Sequence, residues 1–245
     1  MARNIKLVLE YEGTGYHGWQ QQAGSTPTVE GALRRALFEL TGETPALRAA
    51  GRTDAGVHAL GQVVNFRLEG DFAAEALPGA LNHRLSPDIV VRSAQVVDDS
   101  FHARYSARSR RYEYRVRQAA DRAAYVRQYC WAVPERLDLT AMVKAARLLE
   151  GRHDFGGFGR SPRPGGHTTR TVHAIRIDAE GDWITIGVTA DAFLYGMVRT
   201  LASVLVDVGR GRRTLDSVRA LLDAAQPTAI RPAPAQGLVQ AAVTY

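Results

Sequence analysis

The order of strand-like and helix-like stretches repeats once along this chain, and that repetition restricts its fold more than any single motif does. Ile5, Leu7 and Leu9 alternate with Lys6 and Glu10, so Asn4 to Tyr11 reads as a half-buried strand. Thr26-Pro27-Thr28 opens a helix, with Pro27 suited to a first turn. Val29, Leu33, Leu37 and Leu40 then recur at helical spacing, and Gly42 stops the helix. Ala46 to Ala50 and Gly61 to Leu68 are strand-like, the latter with Val64, Phe66 and Leu68 alternating. Pro78 starts a short helix to Leu85, and Asp88 to Val97 is another strand.

The second half spells the order again. Tyr112, Tyr114 and Val116 alternate with Arg111, Glu113, Arg115 and Arg117. Pro134 and Asp138 precede a helix carrying Met142, Val143, Ala146 and Leu149. Thr171 to Ile177 and Trp183 to Thr189 form a hairpin across Glu180-Gly181-Asp182. A long helix follows, with Met197, Leu201, Leu205 and Val208 on one stripe, ending at Gly209. Thr214 to Ala225 is a further helix, and Gly237 to Tyr245 a closing strand. The doubling predicts an α+β chain of two ferredoxin-like halves with mainly antiparallel sheets, residues 1–104 and 105–245. Periodicity does not say whether the two sheets join.

One loop concentrates chemistry. Ala50-Gly51-Arg52-Thr53-Asp54-Ala55-Gly56-Val57-His58-Ala59 sets an acid, a guanidinium and an imidazole between two strands. Loops on rigid strands commonly carry catalytic groups. By itself Asp-Ala-Gly is ordinary turn chemistry, and Arg52 beside Asp54 makes at most a surface pair of about 0–1 kcal/mol. The ten residues together, with Gly61-Gln62-Val63-Val64 after them, resemble the signature of the TruA family, the tRNA pseudouridine synthases A. Further stretches resemble that family in the same order. They are Tyr11-Glu12-Gly13-Thr14-Gly15-Tyr16-His17-Gly18-Trp19-Gln20, Phe101-His102-Ala103-Arg104-Tyr105-Ser106-Ala107 and Arg110-Arg111-Tyr112-Glu113-Tyr114. Asp154-Phe155-Gly156-Gly157-Phe158, Thr169-Arg170-Thr171-Val172 and Phe193-Leu194-Tyr195-Gly196-Met197-Val198-Arg199 complete the series.

The resemblance implies a catalytic Asp54 nucleophile, with Arg52 as its neighbour in the motif. It implies that Tyr112 stacks on the target base and that Arg199 stands against Asp54. It also implies that the sheets join around a cleft, that the chain forms a homodimer, and that it acts on uridines of the tRNA anticodon arm, positions 38–40. One departure is Ser203, where the family has glycine for close helix packing.

Bulk properties agree. The chain has 245 residues, 45% hydrophobic and 23% charged, a globular composition. No apolar run approaches the ~20 residues a bilayer requires. Met1 to Lys6 runs straight into a strand pattern with no signal-peptide core. The one cysteine, Cys130, excludes an internal disulfide and reads as inert core. A cytoplasmic protein is the expectation. Net charge is +6 and the pI near 9.8, a nucleic-acid footprint where the charge clusters. It does cluster, at Arg104, Arg108, Arg110, Arg111, Arg115 and Arg117. Genomic base composition accounts for a general arginine bias but not for that clustering. Arg104, Arg110 and Arg111 are accordingly candidate substrate-binding residues, since guanidinium forks pair bidentately with phosphate.

Pseudouridine formation detaches uracil from C1′, turns it and rejoins it through C5. It needs no redox cofactor, no metal and no external energy, so none of these nor a nucleotide cofactor is expected, and the sequence has neither a Cys/His ligand set nor a Walker-type glycine loop. His58, His102 and His167 read as structural or RNA contacts rather than metal ligands. Asp54 must be ionised to act, and a cation nearby favours that form. Arg199 and Tyr195 fall i, i+4 off the apolar stripe of the long helix. A tyrosine face also suits a flipped base, worth roughly 1–3 kcal/mol in stacking systems. Arg52 either orients Asp54 or draws out the nucleotide. Whether Asp54 attacks C1′, attacks C6 or takes the C2′ proton stays open. Residues 156–166 are rich in Gly, Pro and Arg and read as a mobile loop, either closing on RNA or serving as a connection. The rival readings are a non-catalytic RNA-binding protein on the same scaffold and a related synthase for another RNA.

Overall fold

A computed structural model describes residues 2–70, 72–119, 124–163, 165–224 and 229–245. In chain order they form β1 (Arg3–Tyr11), α1 (Val29–Thr41), β2 (Arg48–Ala49), β3 (His58–Leu68), α2 (Leu77–Asn82) and β4 (Ile89–Val96). Then come β5 (Ser109–Gln118), β6 (Trp131–Val133), α3 (Leu139–Leu148), β7 (Gly151–Asp154), β8 (Thr169–Glu180) and β9 (Trp183–Ala190). The chain closes with α4 (Met197–Gly209), α5 (Leu215–Leu222) and β10 (Leu238–Thr244). The architecture is mixed α+β with mainly antiparallel pairing, as the doubled pattern predicts. The sequence extends the last helix to Ala225, which lies outside the described residues, as does Pro164 of the Gly-rich loop.

Two compact units are present, Met1–Arg108 with Val239–Tyr245, and Ser109–Leu238. In the first, β1 lies between β4 and β3, antiparallel to both, and β2 pairs with β3. The C-terminal β10 runs parallel to β3, pairing Val239 with His58 and Gln240 with Ala59. Ile5, Leu7 and Leu9 of β1 share a buried core with Val64, Phe66 and Leu68 of β3 and with Leu33 and Leu37 of α1. Thr28 caps α1 by accepting from the Gly31 amide, and Gly42 ends it in the left-handed region. Gly42 is the stop expected from sequence, whereas Pro27 falls before the cap and not in the first turn.

In the second unit β9 lies between β5 and β8, antiparallel to both, and β7 adds to β8. The short β6 runs parallel to β5, pairing Val116 with Trp131. Asp138 and Thr214 cap α3 and α5. Neither β6 nor β7 is expected from sequence, because three or four residues are too few to show alternation.

Three expectations are corrected here. First, α4 is buried over most of its circumference, Thr200, Ala202, Ser203, Val204 and Val206 included, and not along one stripe alone. Second, Tyr195 is not on α4. Gly196 turns the chain with φ 76° and the helix begins at Met197, so Tyr195 and Arg199 are not helical i, i+4 neighbours. Third, the start of the Gly-rich loop is packed. Gly156, Gly157 and Phe158 form a buried turn, with the Phe155 and Phe158 rings 5.7 Å apart. Cys130 is buried as expected, and burial pushes its thiol up from the ordinary value.

Candidate active site

The first unit carries Asp54 and Arg52 on the turn between β2 and β3. Neighbouring Thr53 is buried, Asp54 is half-buried and Arg52 exposed. The turn is clamped from both sides. The Tyr11 and Thr53 hydroxyls are 2.8 Å apart, and the Trp19 amide donates to the Thr53 carbonyl at 3.0 Å. The Gly56 amide donates to the Tyr16 carbonyl, and the Val57 amide to the Asp54 carbonyl, at 3.2 and 3.1 Å. From β3, buried Gln62 donates its side-chain amide to the Gly51 carbonyl at 2.8 Å.

Two glycines permit this approach. A Cβ on Gly13 would fall 2.0 Å from the Val57 carbonyl oxygen. A Cβ on Gly18, which has φ 89°, would fall 2.7 Å from that of Thr53. In the opening motif, residues 11–20, Trp19 is buried with its ring 6.3 Å from that of Tyr11, while His17 stays exposed. His58 closes the turn. Its Nδ1 accepts from the Gly13 amide at 3.0 Å, so the ring proton sits on Nε2. The Glu12 carboxylate, 3.3 Å from that same Nδ1, is thus not facing a ring N–H there.

The second unit carries Tyr112 and Arg199. Tyr112 lies on β5 opposite Val188 and meets Phe193 edge-on at 5.0 Å, with planes at 81°. Arg199 Nε donates to the Ala233 carbonyl at 2.7 Å, and the Ala233 amide returns a bond to the Arg199 carbonyl at 3.1 Å. Tyr114 donates its hydroxyl to the Pro234 carbonyl at 2.8 Å. Burial holds the Tyr114 phenol well above its usual value, with Arg199 pulling the other way, so it remains a donor. These two arms tie residues 233–234 to β5 and α4. An open cavity of about 620 Å³ adjoins them, lined by Arg199, Ser203 and Asp207 of α4 and by Trp131.

The remaining sequence candidates separate. Arg110 is buried and donates to the Asp191 carbonyl at 2.7 Å. Arg111 is exposed on β5 and pairs with Glu113 at 2.8 Å. Arg104 sits half-buried in a loop of the first unit. Phe193, Tyr114, Ala233, Pro234 and Gln62 are missed as contributors by sequence reasoning. Gln62, Tyr114 and Phe193 lie within the motif stretches, which is the signal they left; Ala233 and Pro234 left none. Among the described residues no group of three or more His, Cys, Asp or Glu is placed to hold a metal ion. No described helix is long and apolar enough to cross a membrane.

The model of a family described as tRNA pseudouridine synthase matches residues 7–106 and 145–245. A tRNA pseudouridine synthase A of Thermoanaerobacter sp. (strain X514) is 43% identical over 244 residues, 99% of this chain and 100% of the relative. One from Xanthobacter autotrophicus is 41% identical over 242 residues, 98% of each. Among solved structures, a Cbf5–Nop10–Gar1 complex aligns with TM-score 0.36 and 15% identity, over 81% of this chain and 46% of that one. That likeness is too low to enter the argument. The chain belongs to the tRNA pseudouridine synthase family, with the synthases A as its full-length relatives. It is an isomerase.

Proposed function

We propose that the protein isomerises uridine to pseudouridine in the anticodon arm of tRNA, at positions 38–40, with Asp54 as nucleophile. The observation that carries this is the clamped turn. Tyr11, Trp19, Gly18 and Gln62 all hold the backbone flanking Asp54, and precise placement of a reacting group is what such clamping supplies. In this reading the first half, 1–104, carries the catalytic loop and the second, 105–245, completes a cleft across a joined sheet. Asp54 engages the nucleotide, the N1–C1′ bond breaks, uracil turns and C5 bonds to C1′; C5 gives up its proton and N1 takes one up, so the product is an isomer of the substrate. Arg199 supplies positive charge to the reaction, Tyr112 stacks on the base, and Arg52 orients the acid or the nucleotide. Arg104 and Arg111 hold phosphates, and Arg110 serves the substrate chiefly by fixing the Asp191 backbone. The reading includes a homodimer and a cytoplasmic location.

The test is positional. Unmodified tRNA transcripts are incubated with the protein and treated with a carbodiimide that leaves a stable adduct on pseudouridine. Primer extension should then stop in the anticodon arm. Stops elsewhere would assign a different RNA site.

A further inference from the structure

The first unit spends buried polar groups on holding one surface loop, residues 98–106. Asn4 and Asn65 are 2% and 1% exposed, on neighbouring strands β1 and β3. The Asn65 side chain donates to Asn4 Oδ1 at 2.8 Å. Asn4 Nδ2 donates to the Asp98 and Phe101 carbonyls at 2.8 and 3.0 Å. Asn65 Oδ1 accepts from the Ala103 amide at 2.8 Å, and the Tyr245 hydroxyl donates to the Ala103 carbonyl at 2.8 Å. Buried amides need such partners, because leaving one unsatisfied is costly. Apart from the bond between the two asparagines, each of these is directed at the loop.

What the held loop presents is aromatic and basic. Tyr105 is 66% exposed. Its ring lies 4.3 Å from that of His102, and the Arg104 guanidinium is 5.7 Å from its centroid. His102 Nδ1 accepts from the Arg104 and Tyr105 amides at 3.1 and 3.4 Å, which fixes the ring and places its proton on Nε2. Burial, then Arg48 and Arg104, push the His102 pKa down, so the ring is uncharged at neutral pH. The loop's acids are engaged elsewhere: Asp98 accepts from Ser100, and Asp99 pairs with Arg67 at 3.3 Å. Arg48 pairs across β2 with Asn65 and stands six residues before Asp54, at most about 20 Å along the chain.

We propose that residues 101–106 form a preformed stacking platform for an unpaired nucleotide of bound RNA. The base lies on the exposed Tyr105 ring, and the adjoining phosphate pairs with Arg104 and Arg48. Aromatic faces beside arginines take bases of any identity, and a rigid ring loses little freedom on stacking. This inference rests on the proposed function for its choice of RNA. It adds a contact separate from the reacting uridine.

The test uses the full-length protein and a fluorescein-labelled unmodified tRNA transcript. Tyr105→Ala should weaken RNA binding between about five- and a hundred-fold, while Tyr105→Trp stays close to the native protein. Turnover at saturating RNA should be unchanged in both, and so should thermal stability, because Tyr105 is a surface residue. A benzophenone side chain at position 105 should crosslink to one unpaired nucleotide. Native binding by Tyr105→Ala, or crosslinks only to paired stems, would overturn the platform. So would unchanged RNA binding together with a changed oligomeric mass in sedimentation, which would make Tyr105 a contact between copies of the chain. If the native protein binds tRNA but forms no pseudouridine, the functional reading fails, while the binding loss still reports on Tyr105.

Discussion

The two units hold their functional groups by different means. The Asp54 turn rests on close backbone contacts at glycines where no side chain fits, with the Tyr11 hydroxyl and the Gln62 amide adding side-chain bonds. Tyr112 and Arg199 sit on a regular strand and a regular helix, and side chains bonding to carbonyls set their final orientation. A clamp made of close backbone contacts breaks completely or not at all. One made of separate side-chain bonds fails by degrees. Damage to the glycine contacts behind the Asp54 turn should therefore remove fold and activity together, and damage to the side-chain bonds around Arg199 should separate them.

The sharpest way to break that contrast is Gly13→Ala. A methyl group 2.0 Å from a carbonyl oxygen forces the backbone apart, and we expect a loss on the order of 3–5 kcal/mol, read by urea denaturation. A variant of native stability would show that the turn yields freely. Next comes Arg199→Gln. Chemistry under single-turnover conditions should slow by about a hundred- to a thousandfold, while the fold survives in circular dichroism. Tyr114→Phe should follow, with a loss of about 1 kcal/mol and a several-fold fall in kcat with KM little changed, since it loosens residues 233–234 behind Arg199. A matched core truncation, Ile186→Val, should cost similar stability with no change in kcat. The smallest effect is in the first unit. Burial, then Asp88, raise the Tyr16 phenol to about 12 from an unfolded value near 10. The protonated phenol is favoured in the folded state, so this contribution is whole below pH 10 and is lost as pH rises toward 12. Tyr16→Phe should flatten part of that decline in thermal scans, with buried Tyr114 and Cys130 also contributing to it.

Much of this was legible in residues, for identifiable reasons. The strand β1, the helix α1 and the β8–β9 hairpin announce themselves by periodicity and by cap or turn residues. The short strands β6 and β7 carry no period to read. The helix α4 misleads because burial on most sides erases its stripe, and Gly196 moves its start past Tyr195. Of the site, the Asp54 turn stands out as a string of unlike residues. The roles of Ala233 and Pro234 do not, because only their backbone carbonyls and one amide are used, and any residue has those. Asn4 and Asn65 were readable in principle, as amides in apolar strands, but their common target lies far along the chain.

The measurement that tests the central claim most directly uses a tRNA transcript tritiated at C5 of uridine. Tritium leaves only when C5 bonds to C1′. The native protein should release it, and Asp54→Asn should release it at least about a thousandfold more slowly while binding the same RNA in a filter assay. Equal release by both would contradict the role given to Asp54. Binding by both with release by neither, on transcript and on total unmodified tRNA alike, would contradict the synthase itself.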